Sequence, residues 1–121
     1  MASSLGLILV ASGVITAGAG LAALLSPRLL LRIGFGVESP HNAVVFFVRH
    51  WGVLIAVVGA LTAYGAGDAA VRTPVLIAAV VEKIALGLLL FTGSVKPTSI
   101  IKAAALGDCL LAILYVECLV G

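Results

Sequence analysis

The stretch Val48-Arg49-His50-Trp51-Gly52 places an arginine and a histidine inside a long apolar segment of the chain. That segment, residues 43–66, has the length that an α-helix needs to cross a bilayer. A charge near the middle of such a helix costs about 2.5–3.5 kcal/mol on the lenient insertion scale, unless protein groups pair with it. The stretch therefore predicts a membrane helix whose polar side chains are met by other helices.

The composition of the whole chain is typical of a membrane protein. Its 121 residues are 63% hydrophobic and 10% charged, and the mean hydropathy is +1.32. A soluble domain carries about 25% charged residues and could not bury so much apolar surface. The net charge of +2 is small, and the sequence contains no basic patch with interleaved aromatic residues. Nucleic acid is therefore not expected as a partner.

Hydropathy and length predict an all-α fold, an integral membrane four-helix bundle that occupies residues 1–121 as one transmembrane domain. The predicted spans cover residues 5–25, 43–66, 74–91 and 100–120, and a short interfacial helix covers residues 27–34 between spans one and two. A bundle this small has little room for both a core and a pathway. A homo-oligomer or a place in a larger membrane complex is therefore expected.

Small residues form a stripe along each of the first two spans. Glycines recur every seven residues in span one, at Gly6, Gly13 and Gly20. In span two, Gly52 and Gly59 share one stripe with Arg49, at spacings of three and ten residues. Such stripes let two helices approach closely in lipid. We expect another helix to pack against each stripe, with Arg49 pointing into the bundle. For span one, the ordinary glycine richness of membrane helices is the alternative interpretation.

The predicted interfacial helix carries two arginines on one face. Arg28 and Arg32 are four residues apart, with leucines on the other side of the helix. This pattern suits a helix that lies at the membrane surface with its arginines on lipid phosphates. Two interpretations stay open for these residues, a generic anchor in the bilayer and a specific site for an anionic lipid headgroup.

The basic residues also predict how the chain crosses the membrane. Loops one and three fall on the same side and hold four of them, Arg28, Arg32, Lys96 and Lys102. The opposite side holds Arg72. Because cytoplasmic loops carry an excess of Lys and Arg, loops one and three are expected in the cytoplasm and both termini outside.

Four charged residues from three spans are predicted to meet inside the bundle. Arg49 is roughly 9 Å from the cytoplasmic end of its span, and Glu82, Lys83 and Asp108 are roughly 12–14 Å from the ends of theirs, at 1.5 Å per residue. Their formal charges sum to zero, and we expect the Arg49 guanidinium to bridge Asp108 or Glu82. Tyr115, seven residues from Asp108 on the same face, is expected to add a hydrogen bond.

This charge slab has two interpretations that the sequence leaves open. The exact charge balance favours a structural role, in which these polar groups hold the four helices together. Intramembrane ionisable residues instead favour a site for a small solute, an ion or a proton. The candidates for ligand binding or proton handling are Arg49, His50, Glu82, Lys83, Asp108 and Tyr115.

His50 lies about 100° around the helix from Arg49 and so faces a different neighbour. Three roles stay open for it: packing with a hydrogen bond, proton relay, and ligation of a haem or a metal. The other histidine, His41, is predicted at the interface, so a metal would need carboxylate or thiol partners or another subunit. No metal site is predicted, and Cys109 and Cys118 are interpreted as apolar thiols, too far apart on one helix for a disulfide.

Residues 26–66 resemble a known kind of protein. They read as Pro27, a leucine-rich segment, Gly34-Phe35-Gly36-Val37, and then Arg49-x-x-Gly52 entering a glycine-spaced helix. This pattern resembles the small four-helix bacterial membrane proteins of unknown function that are DoxX-like in the broad sense. The resemblance implies a bacterial inner membrane protein and implies no established chemistry.

No metalloprotease, dithiol or phosphate-binding motif occurs in the sequence, and no catalytic residue is predicted. The sequence is compatible with three functions. The first is an accessory or interaction subunit without enzymatic activity, built around the charge slab. The second is a protein that binds or transports a small solute, an ion or a proton through that slab. The third is a haem or redox membrane protein with His50 as ligand.

Overall fold

The computed structural model describes residues 2–93 and 97–120. Its helices are α1 (Ala2–Leu25), α2 (Pro27–Phe35), α3 (Asn42–Gly65), α4 (Ala69–Thr92) and α5 (Ser99–Val120). The four long helices are apolar and long enough to cross a membrane. The predicted all-α class, with four long apolar helices and a short helix between the first two, is confirmed.

Helix α4 begins at Ala69, five residues before the predicted span 74–91. The reason is Asp68, whose Oδ1 accepts hydrogen bonds from the backbone N–H groups of Ala70 and Val71, at 3.0 and 3.4 Å. An N-cap of this kind satisfies donors that the first turn of a helix leaves free. Pro74 therefore lies inside the helix rather than at its start.

Helices α1 and α3 pack along the predicted stripes of small residues. A Cβ atom added at Gly13 would lie 2.6 Å from both the Ala63 nitrogen and the Gly59 oxygen, and one added at Gly20 would collide with the Ala56 backbone. The two backbones are thus too close to admit a side chain between them, as small-residue packing in lipid requires. Gly6 takes no part in this seam, since a Cβ there meets no atom within 4 Å in the described chain.

The remaining helices close the bundle around a small core. Four residues from α1, α4 and α5 form it: Leu9, Leu76, Ala79 and Tyr115, each at most 2% exposed. Most other large apolar side chains are exposed, as expected where lipid is the solvent. Core and seam together fix the relative positions of the helices that carry the charged residues.

Helix α2 packs on the bundle with one face and leaves its arginines exposed. Pro27, Leu31 and Gly34 are buried, whereas Arg28 and Arg32 are exposed. Its last turn is held against the start of α5 by Thr98, which donates from its backbone N–H to the Gly34 oxygen at 2.8 Å and from Oγ1 to the Ile33 oxygen at 2.8 Å. These bonds satisfy carbonyl groups at the end of α2 that have no partner within the helix.

Candidate functional site

Lys83 lies at the centre of an ion cluster between α4 and α5. Its Nζ is 3.1 Å from Asp108 Oδ1 and donates a hydrogen bond to it, and it is 3.8 Å from Glu82 Oε1. The Lys83 side chain is 2% exposed, so its ammonium depends on these two carboxylates for stabilisation. Three of the four charges that were expected to meet are thus brought together.

Helical spacing explains why these side chains meet. Lys83 lies four residues after Ala79, on the buried face of α4. Asp108 lies four residues before Ala112, on the buried face of α5. Because α4 and α5 run antiparallel with a short connection, the two positions fall at the same depth. The segment around each charged residue is apolar, so the helices must place these residues against each other.

Glu82 is the least satisfied member of the cluster. Its Oε1 is buried, yet it has no hydrogen-bond partner among residues 2–93 and 97–120. Its distance of 3.8 Å from Lys83 Nζ is that of an ion pair without a hydrogen bond. A buried acceptor without a donor costs about 1–3 kcal/mol, and more when it is charged. The Oε1 atom of Glu82 can therefore accept a hydrogen bond from a donor or hold a cation.

Arg49 does not join the cluster, so the expectation that it points inward and bridges Asp108 or Glu82 is wrong. Arg49 is exposed, and within the part of the chain that the structure describes both ion pairs belong to Lys83. Without Arg49, the charge balance of the cluster also differs from the expected one. One ammonium now stands against two carboxylates, which leaves a formal charge of −1 where neutrality was expected.

Arg49 is exposed because it lies at the edge of the packed face of α3. A Cβ at Gly52 would contact Gly20, Ala23 and Leu24 of α1. Val45, four residues before Arg49, is also buried, so the packed face continues past Arg49 along the helix. At 3.6 residues per turn, Arg49 lies about 60° around the helix from Gly52. Its side chain therefore falls beside the seam rather than within it.

Tyr115 forms a hydrogen bond, but with a residue that the sequence pattern did not single out. Its hydroxyl lies 2.5 Å from Ser12 Oγ on α1, and both residues are buried. Tyr115 is seven residues from Asp108, or about 10 Å along the helix, so the expected link between them is absent from the described contacts. A hydroxyl near the middle of span one was the signal that could have pointed to Ser12, although the span also holds Thr16.

His50 is exposed on α3, and its side chain makes no hydrogen bond within the described residues. The same part of the chain holds no group of three His, Cys, Asp or Glu side chains that could bind a metal ion. Its role as packing residue, proton relay or haem ligand stays a prediction. Cys109 and Cys118 are free thiols.

An open groove of about 390 Å³ runs along the outer side of α4 and α5, starting at the ion cluster. Its lining is almost entirely apolar and includes Lys83, Ile84, Cys109, Ala112, Ile113 and Glu117. The Lys83 ammonium, already paired with Asp108, lies at one end, and the exposed Glu117 lies near the other. The groove therefore extends from a charged position deep in the membrane along an apolar face that is open to the surroundings of the protein.

Comparison with known proteins yields no match: no family model, no curated protein and no solved structure is significantly similar to this chain. The resemblance to DoxX-like proteins therefore stays a prediction.

Proposed function

We propose that the protein is an interaction subunit without enzymatic activity, and that its α4–α5 face binds a transmembrane helix of another membrane protein or of a second copy. One observation carries this proposal. The acids of the cluster keep 19% (Glu82) and 27% (Asp108) of their side chains exposed, at a depth where the surroundings are hydrocarbon, and their charge exceeds that of Lys83.

Energetics supports a protein partner at this face. An isolated charge at the bilayer centre costs about 2.5–3.5 kcal/mol on the lenient scale, so a partly exposed carboxylate there needs a donor or a cation beside it. A partner helix that presents arginine, lysine or a hydroxyl at this depth supplies one. The apolar groove of about 390 Å³ beside the cluster offers the remaining contact surface.

A second copy of the chain is one partner of suitable chemistry. Arg49 is exposed on α3 and unpaired with any acid among the described residues. Its charge of +1 complements the −1 of the cluster on a neighbouring copy. Because two different surfaces then meet, the copies would associate head to tail. The alternative is a different subunit with its own cation.

Purification from native membranes in mild detergent tests the proposal. The wild-type chain should co-elute with a stoichiometric partner or as a homo-oligomer. Asp108→Asn should release the partner, because it removes the exposed charge while keeping the shape of the side chain. Glu38→Gln, which neutralises an exposed acid in loop one, is the matched control and should retain it. A wild-type chain that elutes as a clean monomer would contradict the proposal, as would a partner retained by Asp108→Asn.

A second function is favoured by one specific feature, the unpartnered Oε1 of Glu82. An acceptor of this kind can hold a proton or a small cation, as intramembrane acids do in transporters. In proteoliposomes, a proton or cation flux that Glu82→Gln abolishes and Glu38→Gln preserves would support this function. Equal fluxes from Glu82→Gln and wild-type vesicles would exclude it.

The proposed setting is a bacterial inner membrane, with loops one and three in the cytoplasm and both termini outside. Arg28, Arg32 and Lys102 support this orientation through the excess of basic residues on the cytoplasmic side. Lys96, the fourth residue of that set, lies outside the described residues.

A further inference from the structure

A second groove, of about 560 Å³, lies beneath α2 at the membrane end where loops one and three are found. Residues from three helices line it, and they are almost all apolar: Leu31, Phe35, Val44, Val48, Leu86 and Leu90. Helix α2 covers one side, and α3 and α4 form the others. Nothing in the charge cluster or in the proposed interaction face uses this groove.

The polar edge of the groove carries a hydrogen-bond donor. His41 lines the groove and also caps α3, since its Nδ1 accepts a hydrogen bond from the backbone N–H of Ala43 at 3.1 Å. With Nδ1 acting as acceptor, the ring proton of the neutral imidazole resides on Nε2. The Nε2–H group is therefore a donor at the entrance of an apolar groove.

Helix α2 brings a positive charge to the same edge. Leu31 and Phe35 both line the groove, and Arg32 lies in the same turn of α2, about 100° around the helix from Leu31. Arg32 is exposed and stands in the last turn of α2. With Arg28 and the exposed acid Glu38, which lies between the lining residues Val37 and Ser39, residues 27–41 carry a net charge of +1. The neighbouring Ile33 is 44% exposed, which fits a helix lying between headgroups and acyl chains. An apolar groove thus opens next to a cation and an N–H donor at the level of lipid phosphates.

We propose that this groove binds one anionic phospholipid, with an acyl chain along Val48 and Leu86 and the phosphate beside His41 and Arg32. Charge complementarity selects this occupant. A protein helix of ordinary composition would leave the cation and the Nε2–H donor without an anion, whereas a phospholipid supplies both the apolar chain and the anion. Of the two interpretations of α2, a generic anchor and a specific site for an anionic lipid headgroup, this proposal chooses the specific site.

Native mass spectrometry of the full-length protein tests the site. The protein is solubilised in an equimolar mixture of phosphatidylglycerol and phosphatidylcholine with identical acyl chains. We expect one retained lipid per chain, with phosphatidylglycerol favoured about fivefold, the effect of roughly one basic residue near an anionic surface. Arg32→Gln should reduce the preference to near one. Lys102→Gln, which removes an exposed cation on the same side, is the control and should keep it.

Two further variants separate the groove from the surface charge. Val48→Phe fills the groove and should abolish retention of either lipid. If that variant does not fold, His41→Ser decides, because serine keeps the N-cap acceptor but lacks the ring N–H, and it should lower the preference for the anionic lipid. Equal retention of the two lipids by the wild type would overturn the proposal, as would undiminished retention by folded Val48→Phe or an unchanged preference in His41→Ser.

Discussion

Replacing Lys83 with methionine should destabilise the protein severely, because it removes the cation that faces two carboxylates. The ammonium is 3.1 Å from Asp108 and 3.8 Å from Glu82, and its side chain is 2% exposed. Breaking a buried ion pair by deleting one partner costs about 3–5 kcal/mol. Because the two acids keep partial exposure, we expect the lower end, about 3 kcal/mol, or roughly a hundredfold in the folding equilibrium.

Reversible unfolding in mixed micelles, followed by circular dichroism, measures this loss. Lys102→Met is the matched control, since Lys102 is exposed on α5, and it should stay within about 0.5 kcal/mol of the wild type. Replacing all three cluster residues with apolar ones of similar size should restore most of the stability. A Lys83→Met variant within about 1 kcal/mol of the wild type would refute the reasoning, because a buried ammonium cannot be removed from two carboxylates so cheaply.

Three other predictions follow from the packing and the orientation of the chain. Gly59→Ala should cost about 1–3 kcal/mol in the same unfolding assay, because its Cβ would meet the backbone of α1. Gly18→Ala is the control and should not destabilise the protein, since no described atom lies within 4 Å of that Cβ. Equal effects of the two substitutions would contradict the close packing of α1 and α3. Tyr115→Phe and Ser12→Ala should each cost about 0.6 kcal/mol, and the double variant should cost less than their sum, since both remove one hydrogen bond; strict additivity in the cycle would count against it. A cysteine replacing Gly67 between α3 and α4 should react with an impermeant thiol reagent added outside intact cells; labelling only after lysis would reverse the proposed orientation.

The spans and the seam could be predicted because their signals are local. Hydropathy over about 20 residues marks a span, and glycines seven residues apart mark one face of a helix. Both signals depend on periodicity within a single element. The first residue of α4 was harder to predict, because the sequence offers two start signals. Asp68 can act as an N-cap, and Pro74 can occupy the first turn of a helix.

The membership of the charge cluster could be predicted only in part. A helical wheel places Arg49 about 60° from Gly52, but it does not say how wide the packed face of α3 is. In the structure Val45 and Gly52 are buried, whereas Arg49 between them is exposed. Periodicity therefore assigned the packed face of α3 correctly, and the width of that face decided that Arg49 is exposed.

Contacts between distant parts of the chain could not be predicted from the sequence pattern. Ser12 and Tyr115 are 103 residues apart, and no local feature of either span pairs them. The same holds for Thr98, whose hydrogen bonds to the end of α2 depend on how α2 folds back across the bundle. Such contacts follow from the packing of whole helices, which a single sequence does not specify residue by residue.

The central claim is that the α4–α5 face beside Asp108 is covered by protein in the native membrane. Site-specific photo-cross-linking in intact cells tests it most directly, with a photoreactive residue in place of Ile113 in the groove and, as control, in place of Ile15 on α1, which is 70% exposed. We predict a discrete protein adduct from position 113 that disappears with Asp108→Asn, and lipid adducts from position 15. Lipid adducts alone from position 113 would contradict the account.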